Sequence, residues 1–307
     1  MIMIKYIITL LILINISYYN FADYRLTVED VNIEYSIDEI YNSKKIITPV
    51  NLTVIPLTDK KESLFITFSY GGLTFKDTAQ YLNHLSTETS YFKQNLTTPL
   101  RKLYSDINTI DYELKLHPNA ITQLEPLSNV VDQSNVLTLY KYKRLEILED
   151  IKKQVFITID NTKVYPAGNY IDIFTVNFYS GTIEKSNEAL LNSRQIKVNL
   201  TIPKISKIIQ TSLTKVPNSK DMYIFKITFI STTDTNLHIA KDMSPMILTS
   251  VSDGIDNLEE TKTDFIYYFP FSNKQHSKEF LVMMKDYKKS MPNEKKGFYF
   301  NYKINEL

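Results

Sequence analysis

The sequence predicts an all-β protein built as two β-sandwiches in tandem. Three observations carry this. Val155, Ile157 and Ile159 alternate with Phe156, Thr158 and Asp160, the period-two pattern of a half-buried strand. Tyr170, Ile171, Ile173, Phe174, Val176 and Phe178 follow as a run dense in β-formers, after a Pro166-Ala167-Gly168 corner. Beyond residue 195, short apolar runs recur with little helical pattern between them, as in a second sandwich. A chain of 307 residues has room for two such units.

Taken in order, residues 1–22 read as a secretory signal. Lys5 is its one basic residue, Tyr6 to Ile16 form an apolar core too short to span a bilayer, and cleavage falls after Ala22. The net charge of the whole chain is +1, and Lys5 lies within the signal, so the mature chain is neutral. No second long apolar run follows, so no transmembrane segment is expected in the mature chain. Tyr24, Leu26 and Val28 alternate in one phase and Val31, Ile33, Tyr35 and Ile37 in the other, with Glu29-Asp30 at the slip. A one-residue slip turns every side chain to the opposite face, so this is two strands or one bulged strand. Residues 46–57 and 64–70 read as strands around a polar turn. A short helix capped by Asp77 or Thr78 runs to Tyr91, and strands follow near 110–116 and 136–142. Residues 141–153 read as loop with a helical turn.

Residues 23–181 make the first sandwich and 195–307 the second, with 182–194 as linker. Ile196, Val198, Leu200 and Ile202 then alternate strictly before Pro203. This stretch fits two roles equally: the first strand of the second sandwich, or a strand that reaches back to complete the first. Met222–Ile230 is a strong strand with Tyr223, Phe225, Ile227 and Phe229 on one face. Further strands are expected at 237–239, 246–251, 265–271 and 280–284. Near the C-terminus Phe298, Phe300, Tyr302 and Ile304 point inward and Tyr299, Asn301 and Lys303 outward.

The string from Lys163 to Tyr179 resembles the closing strands of the spore coat protein U domain, found in subunits of chaperone–usher pili. The matching residues are Tyr165, Pro166, Ala167, Gly168, Tyr170, Asp172, Val176 and Phe178-Tyr179. More faintly, Leu100 to Leu103 and Ile110 to Leu114 are similar to that family's middle strands, so the resemblance covers residues 23–181. It departs in one respect: many members carry a disulfide in the first strands, and this chain has no Cys. The resemblance implies immunoglobulin-like sandwiches that lack their last strand. It also implies protein partners: a periplasmic chaperone, an usher and neighbouring subunits that supply the strand by β-augmentation. The expected role is then an exported structural or adhesive protein of the cell surface, with a two-domain tip adhesin, a periplasmic chaperone or a secreted hydrolase as alternatives.

Little else points to chemistry. Without Cys there is no thiolate metal site, no Cys nucleophile and no lipoprotein anchor. His84, His117, His238 and His276 have no metal-ligand spacing, and no nucleophile elbow or phosphate loop occurs, so neither enzyme activity nor a cofactor is expected. A neutral chain makes no electrostatic case for nucleic acid. Lys285, Lys288, Lys289, Lys295 and Lys296 around Tyr287 read as a solvated loop rather than a polyanion site. Asn51, Asn95 and Asn199 each head an N-L-T triplet, a glycan acceptor in a eukaryotic secretory pathway.

Overall fold

The structure is a computed structural model. It describes residues 24–34, 45–57, 63–70, 101–105, 108–126, 130, 133–140, 150–183, 188–243, 246–254, 258–286 and 300–307. The expected signal with Ala22, the helix ending at Tyr91 and most of the 141–153 loop lie outside these residues. No helix among the described residues is long and apolar enough to cross a membrane.

The first sandwich comprises β1 (Tyr24–Val28), β2 (Val31–Glu34), β3 (Lys45–Pro56), β4 (Leu64–Phe68), β5 (Arg101–Tyr104), β6 (Thr109–Lys115), β7 (Leu137–Tyr140), β8 (Ile151–Asp160), β9 (Gly168–Ser180) and β10 (Ala189–Ile202). They hydrogen-bond in the order β1-β3-β8-β6-β5-β9-β10-β2, and β4 joins β9 to β7. The sheet creases where Tyr104 meets Ile171, the one pairing between β5 and β9. Its two limbs then close over a shared core that includes Leu26, Val50, Ile157, Phe174 and Val198.

The two phases near the N-terminus are two strands. β1 pairs antiparallel with β3 at one limit of the sheet, and β2 pairs parallel with β10 at the other. Glu29-Asp30 carries the chain between the limbs. Because that link shifts the phase, Tyr24 and Leu26 and then Val31 and Ile33 all reach the core. The Asp30 carboxylate accepts the Lys197 amide at 2.9 Å, just where the β2 pairing stops.

Residues 189–194, expected as linker, are the first half of β10. Residues 195–202, counted with the second unit although Ile196 to Ile202 fit either role, pair with β9 and line the first core. The boundary shifts because β10 follows β9 in one antiparallel register from Ser180↔Ala189 to Gly168↔Ile202, with a bulge between Leu190 and Asn192.

Two polar clusters inside this core are hydrogen-bonded. Arg101 is fully buried and donates to Phe68 O at 3.1 Å, Leu124 O at 2.8 Å and Ser69 O, tying three backbone segments together. Tyr112 donates its hydroxyl to Asp172 Oδ2 at 2.6 Å, and burial, then the Asp172 charge, pushes the Tyr112 pKa well up. Asp172 is thus an inward carboxylate held by a phenol and by the Ile173 amide.

The second sandwich has a sheet in the order β11 (Ser206–Lys215), β12 (Met222–Ser231), β18 (His276–Asp286), β15 (Met246–Ser252) and β14 (Asp242–Met243). The facing sheet runs β16 (Leu258–Glu260), β17 (Asp264–Phe269), β13 (Thr235–Ala240) and β19 (Tyr302–Glu306). Phe225, Ile227, Phe229, Leu237, Phe280 and Val282 fill the space between them. Both units are therefore immunoglobulin-like sandwiches.

The Pro166-Ala167-Gly168 corner lies at the seam between the two. Gly168 has φ +157°, a region that L side chains rarely adopt. Tyr170 donates to Pro166 O at 2.9 Å, closing the turn. The Ala167 amide donates to Thr232 O at 2.7 Å and the Val164 amide to Asn273 O at 3.0 Å, so the corner is bonded across to the second sandwich.

A Cβ at Gly168 would meet its nearest atom, Tyr170 Cε2, at an ordinary 3.6 Å. The cost of Gly168→Val is then backbone strain, on the order of 1–3 kcal/mol. Thermal melting should show a clear fall in midpoint; an unchanged midpoint would contradict this account of the corner.

Candidate functional site

The two sandwiches share one plan, and comparing them strand by strand exposes the candidate site. β11, β12 and β18 hold the places of β1, β3 and β8. β13 and β19 hold those of β4 and β9. Among the described residues, the place of β10, outside the last strand, has no occupant in the second sandwich. Among the described residues β19 pairs only with β13, and β11 pairs only with β12.

Burial follows from that difference. On β9, Tyr170, Phe174, Val176 and Phe178 are all fully buried. Beside them, β10 contributes Ile196, Val198 and Leu200 at 0 % exposure and Ile202 at 2 %. The corresponding inward residues of β19, Tyr302 and Ile304, are only half-buried, as are Phe300 ahead of them and Leu213 on β11. These side chains line a groove between two unpaired strand edges. The Phe225 ring forms its floor, with ring centroids 4.4 Å from Phe300 and 5.2 Å from Tyr302.

Side chains rather than backbone span the groove. Glu306 Oε1 accepts from the Ser206 amide at 2.8 Å and the Ser206 hydroxyl at 2.7 Å. Tyr302 shares a hydrogen bond with Thr211 Oγ1 at 3.2 Å. The Ser206 hydroxyl and the local backbone donors hold the Glu306 carboxyl below its usual range. Among the described residues neither edge pairs with a further strand, and the half-buried apolar residues below would be sealed by the alternate side chains of one.

Of the residues singled out in the sequence, Tyr170, Asp172, Val176 and Phe178 face the first core together with Ile196, Val198, Leu200 and Ile202. Asn301 and Lys303 are exposed while Phe300, Tyr302 and Ile304 pack on the second core. Phe298 and Tyr299 lie outside the described residues, as do Lys288, Lys289, Lys295 and Lys296. The Asn199 amide donates to Asn32 Oδ1 at 2.8 Å, and Asn51 Oδ1 accepts from Gln154 at 2.9 Å, so both triplet asparagines sit mid-strand with hydrogen-bonded side chains. His276 stacks on Phe229 with centroids 4.8 Å apart, and burial lowers its pKa.

The sequence reading missed β11, one wall of the groove. Its only signal is the spacing of Ile209, Thr211 and Leu213. The adjacent Ile208 obscures that alternation, and β11 carries a bulge there, between Ile208 and Gln210.

No protein-family model matches the chain, and no curated protein matches it. Among solved structures, the chain is similar to one in the chaperone–tip adhesion subunit pre-assembly complex CsuC–CsuE, from archaic chaperone–usher Csu pili of Acinetobacter baumannii. That likeness has 8% identity over 92% of this chain and 100% of the other, with a TM-score of 0.42. It is also similar to the CupB6 tip adhesin from Pseudomonas aeruginosa, at 10% identity over 91% and 93% of the two chains, TM-score 0.37. A third is CfaE, the adhesive subunit of CFA/I fimbria of enterotoxigenic Escherichia coli. Here the identity is 11%, over 59% of this chain and 49% of that one, TM-score 0.32.

The depressed Glu306 pKa fixes the sign of a pH effect. A carboxylate stabilised by folding contributes above its unfolded pKa and loses that contribution as pH falls through the folded value. Glu306→Gln should therefore melt below the wild type at neutral pH, and the gap should close on acidification towards pH 3 or below. A gap independent of pH would mean that the clip does not depend on the carboxylate charge.

Proposed function

We propose that this is an exported structural or adhesive surface protein of the chaperone–usher kind, whose second sandwich is completed by a donor strand from another chain. The observation that carries this reading is the contrast between the units: β10 seals the first, and among the described residues no strand takes the equivalent place beside β19. The spore coat U-like string ending at Tyr179 supports it from the sequence side. The donor would run antiparallel to β19, as β10 does to β9, bonding to the edges of β19 and β11. A periplasmic chaperone would fill the groove first and a neighbouring subunit afterwards, with an usher as the assembly site.

Within that class, a two-domain tip adhesin is the form the geometry favours. The strands with donor-like alternation, β1 and β10, are both built into the first sandwich. The described residues thus offer an acceptor and no spare donor, as suits the end of a polymer. The first sandwich, closed in cis, is then the part presented to a glycan or surface.

A peptide copying Ala189–Ile202 is a ready probe, because it already has the alternation a donor needs. Added to the full chain at about a hundred times its Kd, it should stabilise the fold by about 2.7 kcal/mol, seen as a rise in melting midpoint. The same peptide with Val198 and Leu200 replaced by Asp should be inert. Leu213→Asp in the protein should abolish the effect. No shift with the unaltered peptide would remove the case for a strand-accepting groove.

A further inference from the structure

β11 is a wall of the groove, yet it does not belong to the second sandwich alone. Its Leu213 packs on the second core, whereas Ile209 packs against the first. The bulge between Ile208 and Gln210 is what re-aims the strand. Three residues, Pro203, Lys204 and Ile205, separate β11 from β10. Thr232 locks that link: its hydroxyl donates to Pro203 O at 2.7 Å and accepts the Ile205 amide at 3.0 Å, and its amide donates to Ile205 O at 3.0 Å. Its carbonyl takes the Ala167 amide from the corner. Ile230, two residues before Thr232, is buried in the first core, and Phe271 packs against that core.

From this we infer that the groove and the first sandwich are energetically coupled through β11, so that filling the groove tightens the closing strand of the first sandwich. This rests on the strand-accepting reading above. A donor paired along β11 holds the strand in its bulged course and so holds Ile209 in the first core. The same course fixes Ile205 on Thr232, and Thr232 on the corner that starts β9. The coupling is reciprocal: whatever steadies the first sandwich strengthens donor binding by the same factor.

The test is hydrogen exchange of the full chain, read by segment, with and without the Ala189–Ile202 peptide, the peptide isotopically labelled to keep its signal apart. Exchange should slow on β11 and β19. It should also slow by about fivefold or more at Ala167 and at the end of β10, residues 199–202, across the seam. In Ile209→Ser the peptide should still protect β11 and β19, and the protection of 199–202 should be lost. Should Ile209→Ser fail to fold, Thr232→Val removes the hydroxyl's bonds to Pro203 O and the Ile205 amide, leaving the backbone bond to Ile205 O, and should give the same split. Protection confined to β11 and β19 in the wild type overturns the coupling and leaves the groove reading standing. So does undiminished transmission in both variants. No protection of β11 or β19 overturns the groove reading, and the coupling with it.

Discussion

The pairing of β9 with β10 is the interaction on which the rest of the molecule depends. β9 is the central strand of its limb, flanked by β4 and β5 on one side and β10 on the other. Without β10, the inward faces of Tyr170, Phe174, Val176 and Phe178 would border an open edge, and β2 would have no strand to join. Burying each of the four inward residues of β10 contributes up to about 1.5–3 kcal/mol before ordering costs. One strand thus closes the core, anchors the second N-terminal strand and delivers the chain to the seam.

Among the described residues, the second sandwich shows the same plan without that strand. Its core is well packed away from the edge, where Phe225, Phe280 and Val282 are buried. Towards β19 and β11 the packing thins to half-buried rings and two side-chain clips. Tyr302–Thr211 and Glu306–Ser206 satisfy a few polar groups, and among the described residues no further strand pairs with either edge. Aromatic bulk does part of the work of a missing strand: Phe300 and Tyr302 lean on Phe225. In a chain without Cys, no disulfide can brace such an edge.

Much of this was legible in the residues, and the gaps have physical causes. Alternation located β8, β9, β12 and the buried half of β10. The phase slip at Glu29-Asp30 announced that the N-terminal segment serves both faces. Alternation reports that one face of a strand is buried, not in which core, so the destination of Ile196 to Ile202 stayed open until the pairing was seen. Residues 189–194 are exposed or half-buried on both faces, which leaves no period to read and makes a strand resemble a linker. β11 escaped notice for the opposite reason: Ile209 and Leu213 serve different cores, and the bulge at Ile209, beside the exposed Ile208, obscures the pattern. Asp172 stood out only through the family-like string, and its buried bond to Tyr112 crosses from one limb of the sheet to the other, a contact that local pattern does not report.

Completion of the first sandwich by β10, within its own chain, is the feature on which the molecule turns. Producing residues 23–182 and residues 23–204 separately tests this most directly, because the two differ by little more than that strand. The account predicts that the longer piece is a soluble monomer with one cooperative melting transition and that the shorter one aggregates or lacks such a transition. Two pieces that behave alike, whether both fold cooperatively or both need an added strand, would contradict it.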